Sequence, residues 1–226
     1  KMAAGVAHEI NNPLAVILQK TGWLQDLLEE EDLQKSANFQ EFRTSVQKIE
    51  EHVERARKVV HNMLGYARRM EPRLEDVDVN QTLNQTIDIL ENFARGNNID
   101  IQTELSESVP IIAGDQAQLQ QVVLNLINNA IDAIGKDGTI TVRSAADNSE
   151  IQVTIADTGP GIPENMQKKV FDPFFTTKTA GKGTGLGLWI SHNIVEKMGG
   201  SMTLQSKTGA GAEFTIRLPV VRPGKK

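Results

Sequence analysis

Residues 4–28 read AGVAHEINNPLAVILQKTGWLQDLL, and their spacing decides how the first part of the chain folds. Apolar and small residues recur at alternating intervals of three and four, the heptad pattern of helices that pack against partner helices. The positions of this seam are Ala7, Ile10, Leu14, Ile17, Thr21, Leu24 and Leu28. The pattern predicts one helix over residues 1–31. Pro13 should bend it, because proline cannot donate a hydrogen bond to the carbonyl of Glu9.

A second heptad pattern follows a polar turn at residues 32–38 and predicts a helix over residues 39–69. Its seam consists of Val46, Ile49, Val53, Ala56, Val60, Met63 and Ala67. Two such helices joined by a short loop form a helical hairpin. A single hairpin leaves much of its seam in water, so we expect two copies to pair as a homodimer with a four-helix bundle.

The pattern changes after the polar stretch 71–78, which predicts a linker. Helices are predicted at 80–95, 115–134 and 186–198, and strands at 99–105, 139–145, 150–156, 201–206 and 212–218. This order predicts a two-layer α/β domain with helices on one face of a mixed sheet. The fold class is therefore α + α/β, and residues 222–226 are expected to form a disordered tail.

Composition excludes several classes of protein. The 226 residues suffice for two modest domains, and the net charge of −5 without a basic stripe argues against a nucleic-acid binder. The absence of cysteine excludes disulfides and thiolate zinc sites. No apolar run approaches the ~18–20 residues that span a bilayer, and no signal peptide is visible.

Three asparagines lie within five residues of the predicted helix 115–134, although asparagine is a mediocre helix former. Asn125 and Asn129 are one turn apart and project together, opposite the apolar face. Their carboxamides can offer oxygen to a hard cation or N–H groups to phosphate. A solvated polar face explains the same pattern equally well.

Two glycine-rich loops follow. In the first, residues 157–161 (DTGPG) place a carboxylate beside glycines, where a flat ring could approach and Asp157 could accept from its amino group. A simple tight turn is the favoured alternative for this stretch alone. In the second, residues 181–188 (GKGTGLGL) open a helix whose backbone N–H groups suit phosphate, without the spacing of a P-loop.

Between these loops, residues 171–178 (FDPFFTTK) contain three of the seven phenylalanines of the chain. They could anchor a mobile lid or plug the domain core, and the two interpretations are equally well supported by the sequence. Lys178 could reach a phosphate.

The motifs HEINNPL, LNLINNAIDAI, DTGPGIP, FDPFFTTK and GTGLGL occur in this order. Together they resemble the catalytic core of the sensor histidine kinases of bacterial two-component systems. The resemblance covers nearly the whole chain, and MLGYARR fits the usual end of the second hairpin helix. No motif position is substituted. The first helix starts closer to His8 than is usual in that family, so we expect the chain to be part of a longer protein.

The resemblance implies a dimerisation and histidine phosphotransfer hairpin at 1–70, a linker at 71–78, an ATP-binding catalytic domain of the GHKL type with a Bergerat fold at 79–221, and a tail at 222–226. It implies a homodimer that phosphorylates itself from ATP with Mg²⁺. The phosphoryl group would then pass to an aspartate in the receiver domain of a response regulator, with phosphatase activity toward that regulator. A cytoplasmic location is expected, with any membrane contact made by other parts of the parent protein, and no nucleic-acid partner.

The resemblance also assigns roles to residues. His8 would be the phosphorylated nucleophile, Glu9 would hold or accept its proton, and Asn12 would position water for dephosphorylation. Asn129 would bind Mg²⁺, with Asn125 close to the phosphates. Asp157 would accept from the adenine amino group, with Gly159 and Gly161 giving the ring access. The residues expected to border the triphosphate are Lys178, Gly183, Thr184, Gly185, Leu186 and Gly187.

Two alternatives remain. An ATP-driven conformational machine, like the chaperones and topoisomerases with this ATPase fold, is disfavoured by the His8–Asn12 motif on a heptad hairpin. A dimer module that binds ATP without phosphoryl transfer is disfavoured by the intact motifs. Structural roles are expected for the other histidines, which are His52, His61 and His192.

Overall fold

The computed structural model describes residues 2–29, 35, 38–68, 74–147, 149–178 and 184–220. Within these ranges, side chains are described from Leu14 onward, except at positions 52, 54, 55 and 57–68. The chain divides into two compact units, which are residues 1–71 with 176–186 and residues 72–175 with 187–226. None of the described helices is long and apolar enough to cross a membrane.

The first unit contains the helical hairpin, as predicted. Helix α1 spans Met2–Leu28 and helix α2 spans Phe39–Arg68, and the two helices pack against each other. Helix α1 is continuous through Pro13, and the bend expected there stays a prediction. Each helix ends close to its predicted boundary, because a heptad pattern is a strong local signal.

The seam between the two helices is only partly buried. Val46, Val53 and Thr21 are buried, and the Thr21 hydroxyl donates to the carbonyls of Ile17 and Leu18. By contrast, three other seam residues retain a large exposed fraction in the single chain. They are Ile17 at 41%, Leu24 at 41% and Ile49 at 43%. Of the nine seam residues whose side chains are described, three are therefore exposed, three are half-buried and three are buried.

The second unit is built on strands with helices packed against them. The strands are β1 (Glu75–Val77), β2 (Ile99–Leu105), β3 (Ile112–Gly114), β4 (Gly138–Ala146), β5 (Glu150–Asp157), β6 (Ser201–Ser206) and β7 (Ala212–Pro219). The helices are α3 (Val79–Gly96), α4 (Gln116–Ile134), the short α5 (Glu164–Gln167) and α6 (Gly187–Lys197).

Five strands form one mixed sheet in the order β2-β4-β5-β7-β6. Strand β2 is parallel to β4, and the other neighbours are antiparallel. Alternate residues of the central strands are buried, including Val153 and Ile155 in β5 and Phe214 and Ile216 in β7. The predicted mixed α/β sheet with helices is confirmed, and it sets the end of β5 beside the start of β7.

The short strands β1 and β3 were not predicted, and β1 lies inside the stretch 71–78 that the sequence indicated as a linker. It pairs antiparallel with β3, so that Val77 lies opposite Ile112, and both side chains are buried. A three-residue strand contains too few alternations to be recognised from local pattern. The polar residues around Val77 concealed its place in the core. The short helix α5 was not predicted either, because four residues contain too little of a repeating pattern.

Helices α3 and α4 begin at aspartates that cap them. Asp78 accepts from the backbone N–H of Gln81 at 2.9 Å, and Asp115 accepts from that of Gln118 at 3.0 Å. Each carboxylate satisfies one of the free N–H groups of a helix start. Gly135 follows α4 with φ +73°, a conformation that glycine adopts readily. The helix with the asparagine motif is thus fixed at both ends.

Candidate functional site

The asparagine motif lies on α4, whose opposite face belongs to the core. Leu119, Val122 and Leu126 are buried, whereas Asn125 and Asn129 are half-buried. A simple solvated face would expose these asparagines fully. Their partial burial excludes a fully solvated face, and their role in a site stays a prediction.

Asn125 is held by helix α6. Its Nδ2 donates to the carbonyl of Gly187 at 3.4 Å and to Oγ of Ser191 at 3.2 Å. A Cβ atom added at Gly187 would lie 3.9 Å from Cγ of Asn125, an ordinary van der Waals distance. The structure thus brings together two of the predicted site residues, Asn125 and Gly187. Ser191, which the sequence did not single out, joins them from one turn further along α6.

Asp157 ends strand β5 and is fixed by two backbone groups. Its Oδ1 accepts from the N–H of Gly159 at 2.8 Å and from that of Ala212 at 3.3 Å. Burial raises the pKa of Asp157 above its ordinary value, and the two N–H groups act in the opposite direction. No described residue donates a hydrogen bond to Oδ2. Asp157 therefore presents a rigid acceptor with one oxygen available to a ligand.

The glycines beside Asp157 are required by close backbone packing. Gly161 has φ +70°, and a Cβ there would lie 2.2 Å from the carbonyl oxygen of Lys207. A Cβ at Gly159 would lie 2.9 Å from Oδ1 of Asp157. Gly161 thus lets the DTGPG loop approach the turn between β6 and β7, and Gly159 leaves room for the carboxylate of Asp157. Access for a flat ring stays a prediction.

Ser206 ties this loop to the same turn. Its Oγ accepts from the N–H of Ile162 at 2.8 Å and donates to the carbonyl of Gly211 at 2.7 Å. A cleft of about 390 Å³ opens beside these bonds, within the usual size range of small-molecule pockets. Of the predicted nucleotide-binding residues that the structure describes, only Asp157 lines it; its other lining residues are Ala156, Gln205, Ser206, Lys207, Ala210, Gly211, Ala212 and Glu213.

The phenylalanines of the stretch 171–178 differ in burial. The half-buried ring of Phe171 packs beside the core residue Phe214, with centroids 6.4 Å apart, and lies 5.1 Å from the ring of His192. Phe174 is 59% exposed and has φ +66°, so it lies outside the core, and a role of this stretch in a lid stays a prediction. Further along, the backbone N–H of Lys178 donates to Oγ1 of Thr176 at 3.2 Å.

The second glycine loop is described from Thr184. Its Oγ1 accepts from the N–H of Leu186 at 3.4 Å, and Gly185 has φ +66°. Leu186 is buried. Gly183 lies outside the described residues, so its predicted contact with phosphate stays a prediction.

The predicted phosphoacceptor motif lies within α1. The side chains of His8, Glu9 and Asn12 are outside the described set, so their roles stay predictions. Across the described residues, no group of three or more histidine, cysteine or acidic side chains could hold a metal. A cation site built on asparagine would not belong to that class, because Mg²⁺ takes oxygen from phosphates, water and one or two protein groups.

Two family profiles match the chain. Residues 1–72 match the His Kinase A (phospho-acceptor) domain, and residues 114–222 match the histidine kinase-, DNA gyrase B- and HSP90-like ATPase. Sensor histidine kinase ZraS of Escherichia coli K12 is 34% identical over 219 residues, which are 97% of this chain and 45% of that protein. The chain thus spans about half the length of this relative.

Solved structures that resemble this chain are also histidine kinases. The catalytic domain of histidine kinase ThkA is 32% identical, with a TM-score of 0.60 over 66% of this chain and 99% of that one. Full-length ShkA in complex with AMPPNP is 27% identical, with a TM-score of 0.74 over 99% of this chain and 46% of that one. ThkA in complex with the response regulator TrrA is 27% identical, with a TM-score of 0.68 over 100% of this chain and 62% of that one.

Proposed function

Because this chain belongs to the sensor histidine kinase family, we propose that it is an autophosphorylating kinase core that takes its phosphoryl group from ATP. The hydrogen bonding of the Asp157 carboxylate is the observation that supports this proposal. Its carboxylate is fixed by two backbone N–H groups, and its second oxygen accepts no hydrogen bond from the described residues. That oxygen suits the exocyclic amino group of adenine, which is a hydrogen-bond donor.

The triphosphate would extend from Asp157 toward α4 and the start of α6. Asn125 and Gly187 are in contact there, and Asn129 lies one turn along the same helix. Backbone N–H groups at the start of α6 would suit an anion. The complex of ShkA with AMPPNP supports ATP as the nucleotide for this fold.

Mg²⁺ fits the chemistry of this face, since half-buried carboxamide oxygens are hard ligands. Asn129 would hold the ion, which supplies charge neutralisation on the phosphates. The rest of catalysis is positioning, because phosphoryl transfer needs little covalent help from the protein.

His8 would receive the phosphoryl group. One imidazole nitrogen attacks the γ-phosphorus, a nitrogen–phosphorus bond forms, and the bond from phosphorus to the bridging oxygen breaks, so that ADP leaves with the electron pair. Glu9 would take the imidazole proton. The phosphoryl group would then pass to an aspartate of a response-regulator receiver domain, a proposal that the complex of ThkA with TrrA supports.

The kinase would act as a homodimer. The phosphoacceptor profile over residues 1–72 supports dimerisation, and so do the seam residues Ile17, Leu24 and Ile49, which a single chain leaves exposed. A second hairpin would bury them in a four-helix bundle.

Incubation with radiolabelled Mg·ATP tests this function. The wild-type protein should acquire phosphate that is stable in alkali and labile in acid, as expected of phosphohistidine, whereas His8→Gln should acquire none. The variants His52→Gln and His61→Gln are matched controls on the same hairpin and should be labelled normally. Full labelling of His8→Gln would reject His8 as the acceptor.

The metal role of Asn129 has a separate test. Asn129→Ala should abolish labelling and ATP turnover while leaving the dimer intact, because a metal ligand is lost without a change in the core. Unchanged turnover in this variant would reject the metal assignment.

Phosphatase activity is the second half of the proposal and depends on Asn12. Asn12→Ala should leave autophosphorylation intact but stop dephosphorylation of the cognate regulator, because the attacking water would lose its positioning group. An unchanged rate of regulator dephosphorylation would refute this role.

A further inference from the structure

Ser191 on α6 is a buried residue that contacts Asn125 of the predicted nucleotide site and belongs to none of the five motifs. Ser191 has no exposed surface, and its Oγ lies 3.2 Å from Nδ2 of Asn125. These residues are 66 positions apart in the chain, on helices α6 and α4. A polar side chain at such a position requires a reason, because burying a hydroxyl without a partner is costly.

The geometry fixes which end of the Asn125 carboxamide faces α6. The carbonyl of Gly187 can only accept a hydrogen bond, so the atom 3.4 Å from it must be the nitrogen. The amide nitrogen has two hydrogens, and Gly187 and Ser191 provide one acceptor for each. No described residue donates to Oδ1 of Asn125. Asn125 therefore has only its oxygen left for a ligand.

From this arrangement we propose that Ser191 is a positioning residue, which acts through Asn125 to present an acceptor oxygen to the bound Mg·nucleotide. The inference rests on the proposed function, since it assumes that this face binds nucleotide. It also narrows the role of Asn125, which can accept from a nucleotide hydroxyl or a metal-bound water but cannot donate to a phosphate oxygen. Without Ser191, one hydrogen of the amide would lack an acceptor, and the carboxamide could rotate.

A double-mutant cycle on the whole 226-residue chain tests this role. The measurement is the affinity for Mg·AMPPNP by titration calorimetry, which does not depend on catalysis. Ser191→Ala should weaken binding about 3- to 10-fold, the effect of one hydrogen bond. In an Asn125→Ala background, the same substitution should change the affinity by less than about twofold, because Ser191 would have nothing left to orient.

Thr86→Val is the matched control. Thr86 is also fully buried, and its Oγ1 donates within α3 to the carbonyl of Thr82 at 2.7 Å. Its substitution removes a buried hydroxyl without touching Asn125, so the nucleotide affinity should stay at the wild-type value. Ser191→Cys keeps the buried volume with a weaker acceptor and should bind with intermediate affinity.

The outcomes separate the two proposals. If the wild-type chain fails to bind Mg·AMPPNP, the proposed function is rejected and the role of Ser191 with it. If the wild type binds and Asn125→Ala weakens binding but Ser191→Ala does not, only the positioning role is rejected. Equal losses from Ser191→Ala in the two backgrounds also overturn it, because the effect would not pass through Asn125.

Discussion

Two glycines in the turn before β7 share a backbone conformation but not their surroundings. Gly209 and Gly211 both have φ +82°. A Cβ at Gly209 would meet nothing within 4 Å, whereas a Cβ at Gly211 would lie 1.9 Å from the carbonyl oxygen of Asp157. The first glycine is thus required only by its φ angle, and the second also by the packing of the turn against Asp157.

We expect Gly211→Ala to destabilise the protein by about 3 kcal/mol or more, because backbone must move apart in addition to the strained φ. Gly209→Ala is the matched control, and its free energy of unfolding should fall by about 1 kcal/mol because of the strained φ alone. Denaturant unfolding measures both. Gly211→Ala should also weaken nucleotide binding, because the Ala212 N–H would leave Asp157. Equal destabilisation in the two variants would contradict the packing argument.

Asp157 gives the stability a dependence on pH. Because burial raises its pKa in the folded protein, the folded state binds a proton more readily than the unfolded chain does. The favourable contribution of Asp157 to the free energy of unfolding is therefore complete below its pKa in the unfolded chain. It is lost as the pH rises through its pKa in the folded protein.

Asp157→Asn removes this charge and retains an oxygen for the N–H groups of Gly159 and Ala212. The variant should be more stable than the wild type at pH 7.5, and this advantage should shrink as the pH falls toward 4. Its nucleotide affinity should drop, because an amide N–H would face the adenine amino group. Unfolding in denaturant across this pH range provides the measurement, and an advantage that grows toward low pH would exclude burial as the cause.

At the scale of the element, α4 carries the asparagine motif, and its position depends on its first turn. Asp115 is buried and caps the helix through the N–H of Gln118. Asp115→Ala should lower the free energy of unfolding by about 1 kcal/mol, the usual effect of losing a cap. Asp115→Ser, which can still cap, should retain most of the stability. The comparison is made by thermal or denaturant unfolding, and identical losses in the two variants would show that capping is not the role of Asp115.

At the scale of the whole molecule, the proposed homodimer would be held together by the hairpin. Ile49 is 43% exposed in the single chain, at a seam position that a second hairpin would cover. Ile49→Glu should raise the dimer dissociation constant at least about tenfold, because an apolar contact is lost and a charge is buried in each copy. Analytical ultracentrifugation measures this constant.

The control for the dimer lies in the other unit. Ile89 on α3 is 59% exposed, yet it belongs to no heptad seam. Ile89→Glu should leave the dissociation constant unchanged. If both variants weakened the dimer equally, the seam would not be the interface.

The elements with strong local periodicity were predictable, and those without it were not. The heptads placed α1 and α2 and the alternation placed β5, whereas β1 escaped recognition with its three residues. The candidate site divides in the same way. Asn125 and Asp157 stand in recognisable motifs, but nothing local marks Ser191 as a contact of Asn125.

The sequence alone determined the order of the longer helices and strands, the hairpin and the motif residues of the candidate site, because helix and strand periods repeat within a few residues. The tertiary structure alone decided which groups meet. It brought the N–H of Ala212 to Asp157 across 55 residues and Ser191 to Asn125 across 66. Such contacts depend on strand register and helix packing, which a local pattern does not encode. The structure thereby shows that one carboxylate oxygen of Asp157 and the amide oxygen of Asn125 accept no hydrogen bond from the described residues.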